Sequence, residues 1–353
     1  MITLPSFRQA FGEISALAAE GGFYLACEYS RGGTGLQTSY FSSFPPDDPS
    51  IESAIVVVTG VHGIEGHPGH RLLCRLLRQE ICRELPRGTG LVMAHLVNPF
   101  GFEHGRRVDE NNVDVNRGCF DDTHPENLRY DGIKGLVEPD DLNPDALFAL
   151  GELAKDRASF VAAVSGQWHS PRGIFFGGTE TCQSGRDLKD VCGLHLFTLR
   201  KRIVAIDVHT GMGPYGVGTV LSPLASTDGL EADRARAIFG DKIQFVNAGK
   251  SIAVGVKGDF LPAMGRALPS GIEFTPVALE MGTTSVAESF PAIVAESWLH
   301  HHPERANEVP VDLIEDQLAM FRRTFAPTDD GEWMEKFYAA FGGLWQSAVK
   351  ALS

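Results

Sequence analysis

The sequence predicts an α/β fold, with a central sheet covered by helices on both faces. Three observations carry this. Short apolar runs alternate with segments of helical period along the 353 residues. Three of those runs are almost continuously apolar, as in central strands buried on both faces. Distinctive polar residues recur at the ends of the runs, where open α/β sheets gather their ligands.

Taken in order, the strand candidates are AIVVVTG (54–60), GLVMAHLVN (90–98), RIVAIDVH (202–209), GTVLSPL (218–224), KIQFVNA (242–248) and TPVALEMG (275–282). Helix candidates run between and after them. HRLLCRLLRQEICREL (70–85) repeats its apolar residues at helical spacing, with Pro68 where a first turn tolerates it. Others are 143–165, 185–200, 228–240, 287–302, 311–325 and 331–350. Residues 101–142 are polar, with few apolar positions, and read as a long ordered functional loop. No repeat, low-complexity tract or linker divides the chain, so one domain over 1–353 is expected.

Composition narrows the partners. Thirty-one basic against 45 acidic side chains give a net charge of −14, which disfavours nucleic acid and anionic membranes. No apolar run reaches the ~18 residues of a membrane span. The start, MITLPSFRQAFGEI, lacks a basic region followed by an apolar core, so no signal peptide is expected. Six cysteines are scattered without a CxxC pair, and Cys74 and Cys82 read as small core residues of a helix. A cytoplasmic location is the expectation.

The first strand candidate leads directly into GVHGIEG (60–66). Zinc takes imidazole nitrogen and carboxylate oxygen, and a catalytic site keeps one position open. His62 and Glu65 converge on one ion only if the chain turns sharply, which Gly60, Gly63 and Gly66 permit. HxxE alone is a weak signal, and a polar loop is its ordinary reading. His209, closing RIVAIDVH, is a candidate third ligand, or a hydrogen-bonded histidine at a sheet margin. His67 and His70 read as helix-start and surface residues. His169 and His300, His301 and His302 are candidates by composition, but consecutive helical positions point in different directions.

RRVDENNVDVNRG (106–118) supplies a second constellation. An arginine fork suits a carboxylate or a developing oxyanion, and a neighbouring asparagine adds a neutral donor. Asn116 and Arg117 together suit a substrate carboxylate. Asp114 is placed to accept a proton from a ligating imidazole and fix its tautomer. A charged surface loop paired within itself is the ordinary reading. In ALEMGT (278–283), a carboxylate inside an apolar strand is costly unless paired or used. Glu280 is therefore either a general base beside an activated water or a carboxylate satisfied by backbone N–H groups.

These pieces, in this order, resemble the zinc carboxypeptidase superfamily (metallopeptidase family M14). Within it they resemble the branch known as the DUF2817 family, alongside succinylglutamate desuccinylase and aspartoacylase. The resemblance rests on GVHGIEG (60–66), NPFG (98–101), RRVDENNVDVNR (106–117), GQWHSPRGIFFGG (166–178), DVHTGMGPYG (207–216) and LEMGT (279–283), which span most of the chain. It implies a three-layer α/β/α sandwich with a mixed, largely parallel sheet. It implies one Zn2+ ion held by His62, Glu65 and His209, with Asp114 orienting His62. Arg107 would polarise the scissile carbonyl, with Arg106 as the fallback if the register differs. Asn116 and Arg117 would hold the terminal carboxylate, and Glu280 would act as general base and acid. Gln167–Gly178 is expected to wall a pocket. The superfamily's mobile tyrosine has no assigned counterpart, and Tyr215 is a weakly supported stand-in.

The implied activity is zinc-dependent hydrolysis of an amide bond next to a free carboxylate, with a small peptide as favoured substrate. An N-acyl amino acid is the alternative. A metal-containing protein that binds a carboxylated ligand without turnover is the third reading, disfavoured because binding alone needs neither a base nor an oxyanion arginine.

Overall fold

The structure is a computed structural model, which describes residues 4–79, 84–120, 126–248, 251 and 256–353. Eight strands form one sheet: β1 (Tyr24–Ser30), β2 (Gln37–Ser42), β3 (Ser53–Thr59), β4 (Thr89–His95), β5 (Arg202–Gly211), β6 (Gly218–Ser222), β7 (Gln244–Phe245) and β8 (Glu273–Gly282). Their order is β1-β2-β4-β3-β5-β8-β6-β7. The centre, β4-β3-β5-β8, is parallel, while β1-β2, β2-β4 and β6-β8 pair antiparallel. The expected mixed, largely parallel α/β sheet is what forms.

Strand periodicity builds the layers. Successive side chains of β3 point to opposite faces. Ile55 and Val57 pack with Leu72, Leu73, Phe337 and Trp345 on one side. Val56 and Val58 pack with Leu188, Val191, Phe260 and Met264 on the other. The first face is covered by helices Gly66–Arg78 and Gly331–Leu352, the second by Gln183–Cys192 and Phe260–Ala267. Every residue of β3 is buried, as continuous apolar runs between two helical layers require.

Several expected elements differ. Only Gln244–Phe245 of 242–248 joins the sheet, and Val246–Ala248 turns into a 3₁₀ helix. The segment 143–165 is two helices, Pro144–Lys155 and Arg157–Val164, because Asp156 leaves the helical region and caps the second through its side chain. The 101–142 loop contains short helical turns, Val115–Gly118, Leu128–Asp131 and Lys134–Val137. The helix expected over 70–85 begins earlier, at Gly66, and Cys82 lies outside the described residues. Among the described residues no helix is long and apolar enough to cross a membrane.

Candidate metal centre and active site

The chain leaves β3 through Gly60, whose φ of +70° is left-handed, a conformation glycine adopts without strain. His62 then precedes a 3₁₀ turn, Gly63–Glu65, that runs into the helix Gly66–Arg78. Gly63 lies flat on the backbone of Gly101, where a Cβ would fall 2.3 Å away. Gly63 and Ile64 N–H donate to the carbonyls of Arg107 (3.1 Å) and Arg106 (2.8 Å). Asn98 caps the helix Pro99–His104 by accepting from Gly101 N–H, and its Nδ2 donates to Arg107 O. GVHGIEG, NPFG and the Arg106–Arg107 backbone are thus one hydrogen-bonded unit.

His209 enters from the parallel neighbour. In the β5–β8 register it stands beside Glu280, so the strand ends place the two side by side. The ligand-capable atoms of His62, Glu65 and His209 lie within 4.8 Å of one another, and all three residues are buried. The two imidazole rings are 5.0 Å apart. Glu65 Oε2 accepts from Thr210 N–H (2.9 Å) and lies 3.3 Å from His209 Nδ1. His62, Glu65, Arg107, Asn116, Arg117, His209 and Glu280 all line one cavity of about 140 Å³.

Asp114 lies at the bottom of this cluster, fully buried. It accepts from Arg107 Nε (3.1 Å) and Asn116 N–H (3.0 Å), and Arg117 Nη1 is 3.4 Å away. Burial alone would raise its pKa, but Arg117 and Arg107 outweigh burial and hold the carboxyl below its usual range. His62 Nδ1 is 3.4 Å from Asp114 Oδ1, out of line for a hydrogen bond, and has no other partner. Burial first, then Arg107, hold the His62 pKa well below normal and leave the ring neutral. Because Nε2 accepts from Arg107, Nδ1 carries the ring proton, and Asp114 is the nearest acceptor for it. Two imidazoles and a carboxylate at this spacing match the donor chemistry zinc prefers.

Arg107 reaches the same atoms. Its Nη2 donates to His62 Nε2 (2.7 Å) and its Nη1 to Glu65 Oε1 (3.3 Å). Arg106 instead pairs with Glu296 (2.7 Å) and does not line the cavity. Asn116 Oδ1 accepts from Phe260 N–H, which fixes Nδ2 as the amide's donor. Arg117 donates to Val164 O (2.6 Å). Glu280 Oε1 accepts from Met212 N–H (2.9 Å), while burial, then Glu65, push its pKa up to about 7.

The remaining candidates fall elsewhere. His67 and His70 are buried rather than at the surface, because the whole first turn of their helix packs inward. His67 stacks on Phe102 and donates to its carbonyl. His169 pairs with Asp131, and neither it nor His300, His301 and His302 lines the cavity. Tyr215 is exposed and hydrogen-bonded to Asp330, in a wider groove of about 1830 Å³. That groove holds none of the three candidate ligands but shares Phe160, Met212 and Val286 with the inner cavity.

Two residues of the site have no counterpart among the sequence candidates. Asp207 lies 2.8 Å from His209 Nε2, and the DxH spacing that puts both on one face of a strand was its legible signal. Phe175, from the Gln167–Gly178 segment, lies under both arginines, 5.4 Å from Arg107 and 5.1 Å from Arg117. It lines the cavity, so the segment contributes a wall as expected. Nothing local in GIFFGG marks that contact.

The chain is similar in fold to carboxypeptidase A from Helicoverpa armigera (11% identity, 92% of this chain and 74% of that one, TM-score 0.50). It is equally similar to thrombin activatable fibrinolysis inhibitor (10% identity, 99% and 75% covered, TM-score 0.50). Succinylglutamate desuccinylase from Chromobacterium violaceum aligns at 14% identity over 83% of this chain and 74% of that one, with a TM-score of 0.39. No curated protein matches by sequence. The model of the family described as protein of unknown function (DUF2817) matches residues 42–340, and the chain belongs to that family.

Proposed function

We propose that this chain is a zinc-dependent hydrolase that cleaves an amide bond adjacent to a free carboxylate, with residues 1–353 acting as one catalytic unit. The observation that carries the reading is the meeting of His62, Glu65 and His209 within 4.8 Å, in a cavity that Glu280 and Arg107 also line. Those three residues would hold the ion. Zinc bound there supplies Lewis-acid polarisation of a carbonyl and acidifies water to near neutrality.

The protein's own groups supply the rest. Glu280, near neutral pKa and held by Met212 N–H, takes the proton of the attacking water and returns it to the leaving amine. Arg107 carries a rigid fork toward the developing oxyanion. Asn116 Nδ2 and Arg117 receive the substrate carboxylate, with Phe175 packed beneath the guanidinium. Asp207 orients His209, and Asp114 is the nearest acceptor for the Nδ1 proton of His62.

The groove of about 1830 Å³ adjoining the cavity favours a small peptide, whose length beyond the scissile bond it can accommodate. The small inner cavity favours the second reading, an N-acyl amino acid deacylase. The test is hydrolysis of a panel of short peptides and N-acyl amino acids by metal-stripped and zinc-reloaded protein. Zinc-restored turnover of either class supports the hydrolase, and the better class decides the substrate. A full zinc complement with no turnover across the panel overturns the reading.

A further inference from the structure

A second group of metal-competent donors lies outside the cavity, where the helix Phe7–Glu20 packs on the helix Gly66–Arg78. His70 and Cys74 are four residues apart and share one helix face. Both are buried, and Glu13 reaches them from the facing helix. The ligand-capable atoms of the three lie within 4.8 Å of one another.

Their spacing is the informative feature. Glu13 Oε2 is 3.2 Å from His70 Nε2, and Cys74 Sγ lies 3.7 Å from that nitrogen and 3.6 Å from Nδ1. A tetrahedral zinc-type ion, with bonds of about 2.0 Å to N or O and about 2.3 Å to S, spaces its ligand atoms roughly 3.3 to 3.6 Å apart. The Glu13–His70 separation already matches one edge of such a tetrahedron, and the sulfur has to turn toward Nε2 to complete the next.

The surroundings hold them there. Arg78 grips the other carboxylate oxygen of Glu13, Oε1. His95, fully buried at the end of β4, places its Nε2 3.3 Å from His70 Nδ1. Each of these two ligands therefore has its far polar atom fixed, which is how outer partners orient metal ligands. A hydrogen-bonded chain Glu13–His70–His95 satisfies those groups without an ion, but it gives the buried Cys74 thiol no role beyond core packing. The donors open onto a pocket of about 810 Å³ that gives an ion a way in. Around it Arg71 is bonded to Thr328 O and Arg75 to Glu335.

We propose that Glu13, His70 and Cys74 form a second metal site, for a thiophilic divalent cation of the zinc and cadmium class. The ion fastens the helix Phe7–Glu20, which lies outside the family match, to the helix that follows Glu65. Burial pushes the Cys74 thiol up to about 12, so without an ion it keeps its proton. Binding forms the sulfur–metal bond and releases that proton to solvent.

Cadmium titration of the chelator-stripped full chain tests this, because His62, Glu65 and His209 offer no sulfur. The expected result is two bound equivalents, one of which produces a sulfur-to-cadmium charge-transfer band in the ultraviolet. Cys74→Ser should lose the band and one equivalent. Glu13→Gln, on a partly exposed helix face, should weaken the band-producing event tenfold or more while leaving the circular dichroism spectrum intact. His62→Ala should keep the band, which separates this site from the proposed catalytic one. Absence of the band in the unmodified chain, or its survival in Cys74→Ser, overturns the assignment.

Discussion

His209 Nε2 lies 2.8 Å from Asp207 Oδ2, both side chains on the same face of β5. Burial opposes a charge on His209, but Asp207 and then Glu65 outweigh it and hold the imidazole pKa well above its ordinary value. The carboxylate thus fixes which nitrogen faces Glu65. Removing it in Asp207→Ala should lower zinc affinity about 10- to 100-fold without unfolding the chain. Competition against a chromophoric chelator measures this. An unchanged dissociation constant would mean that Asp207 orients nothing.

The base role proposed for Glu280 separates catalysis from binding. Glu280→Gln keeps an oxygen for Met212 N–H and the same volume, so the fold and the bound metal should persist. Turnover of an identified substrate should fall about 10²- to 10⁴-fold, the usual contribution of a positioned base. Metal analysis and kinetics on one preparation check both halves. Turnover at the wild-type rate would remove Glu280 from the mechanism.

Arg107 should split the two properties in opposite directions. Its guanidinium occupies His62 Nε2, Glu65 Oε1 and Asp114 Oδ2, placing a positive charge beside the proposed ligands. Arg107→Ala should therefore bind zinc at least as tightly as the parent, while kcat falls roughly 10²- to 10³-fold, as for loss of an oxyanion donor. Arg107→Lys should recover only part of the rate, since an ammonium lacks the planar fork. Loss of metal together with activity would instead make Arg107 a scaffold residue.

What could be read in advance follows from what periodicity encodes. AIVVVTG and RIVAIDVH announce buried strands because Ala54–Val58 and Ile203–Ile206 are unbroken apolar runs, and the polar ends of RIVAIDVH and TPVALEMG are where His209 and Glu280 meet. The strand Tyr24–Ser30, at the sheet's edge, and its neighbour Gln37–Ser42 escaped, since YLACEYS is half-exposed and polar at several positions, and its pairing is interrupted by a bulge. The helix Phe7–Glu20 also escaped, although Ser6 and Gln9 form a capping box. Spacing identifies residues on one face, but not the distant segment that arrives opposite them. Phe175 meets Arg107 across 68 positions of chain, and no local pattern in either segment states that they touch.

Asp109 gives a stability effect with a defined sign. It is 6% exposed, and its Oδ1 accepts from Asn111 N–H (2.9 Å) and Val113 N–H (2.8 Å). Burial outweighs those bonds and pushes its pKa up to about 7, against about 3.9 in an unfolded chain. Between about pH 4 and pH 7 the folded protein therefore holds a proton that the unfolded chain has released, so this group's contribution to stability declines as pH rises through that window. Asp109→Asn retains the accepting oxygen and never ionises. It should match the parent near pH 4 and exceed it by up to roughly 4 kcal/mol at pH 8, because one bound proton changes stability by about 1.4 kcal/mol for each pH step of one. Urea unfolding of both proteins at the two pH values reads the difference directly. A gap that stays constant with pH would show that Asp109 is ionised in the folded protein throughout, and that its two backbone donors, rather than burial, set its charge.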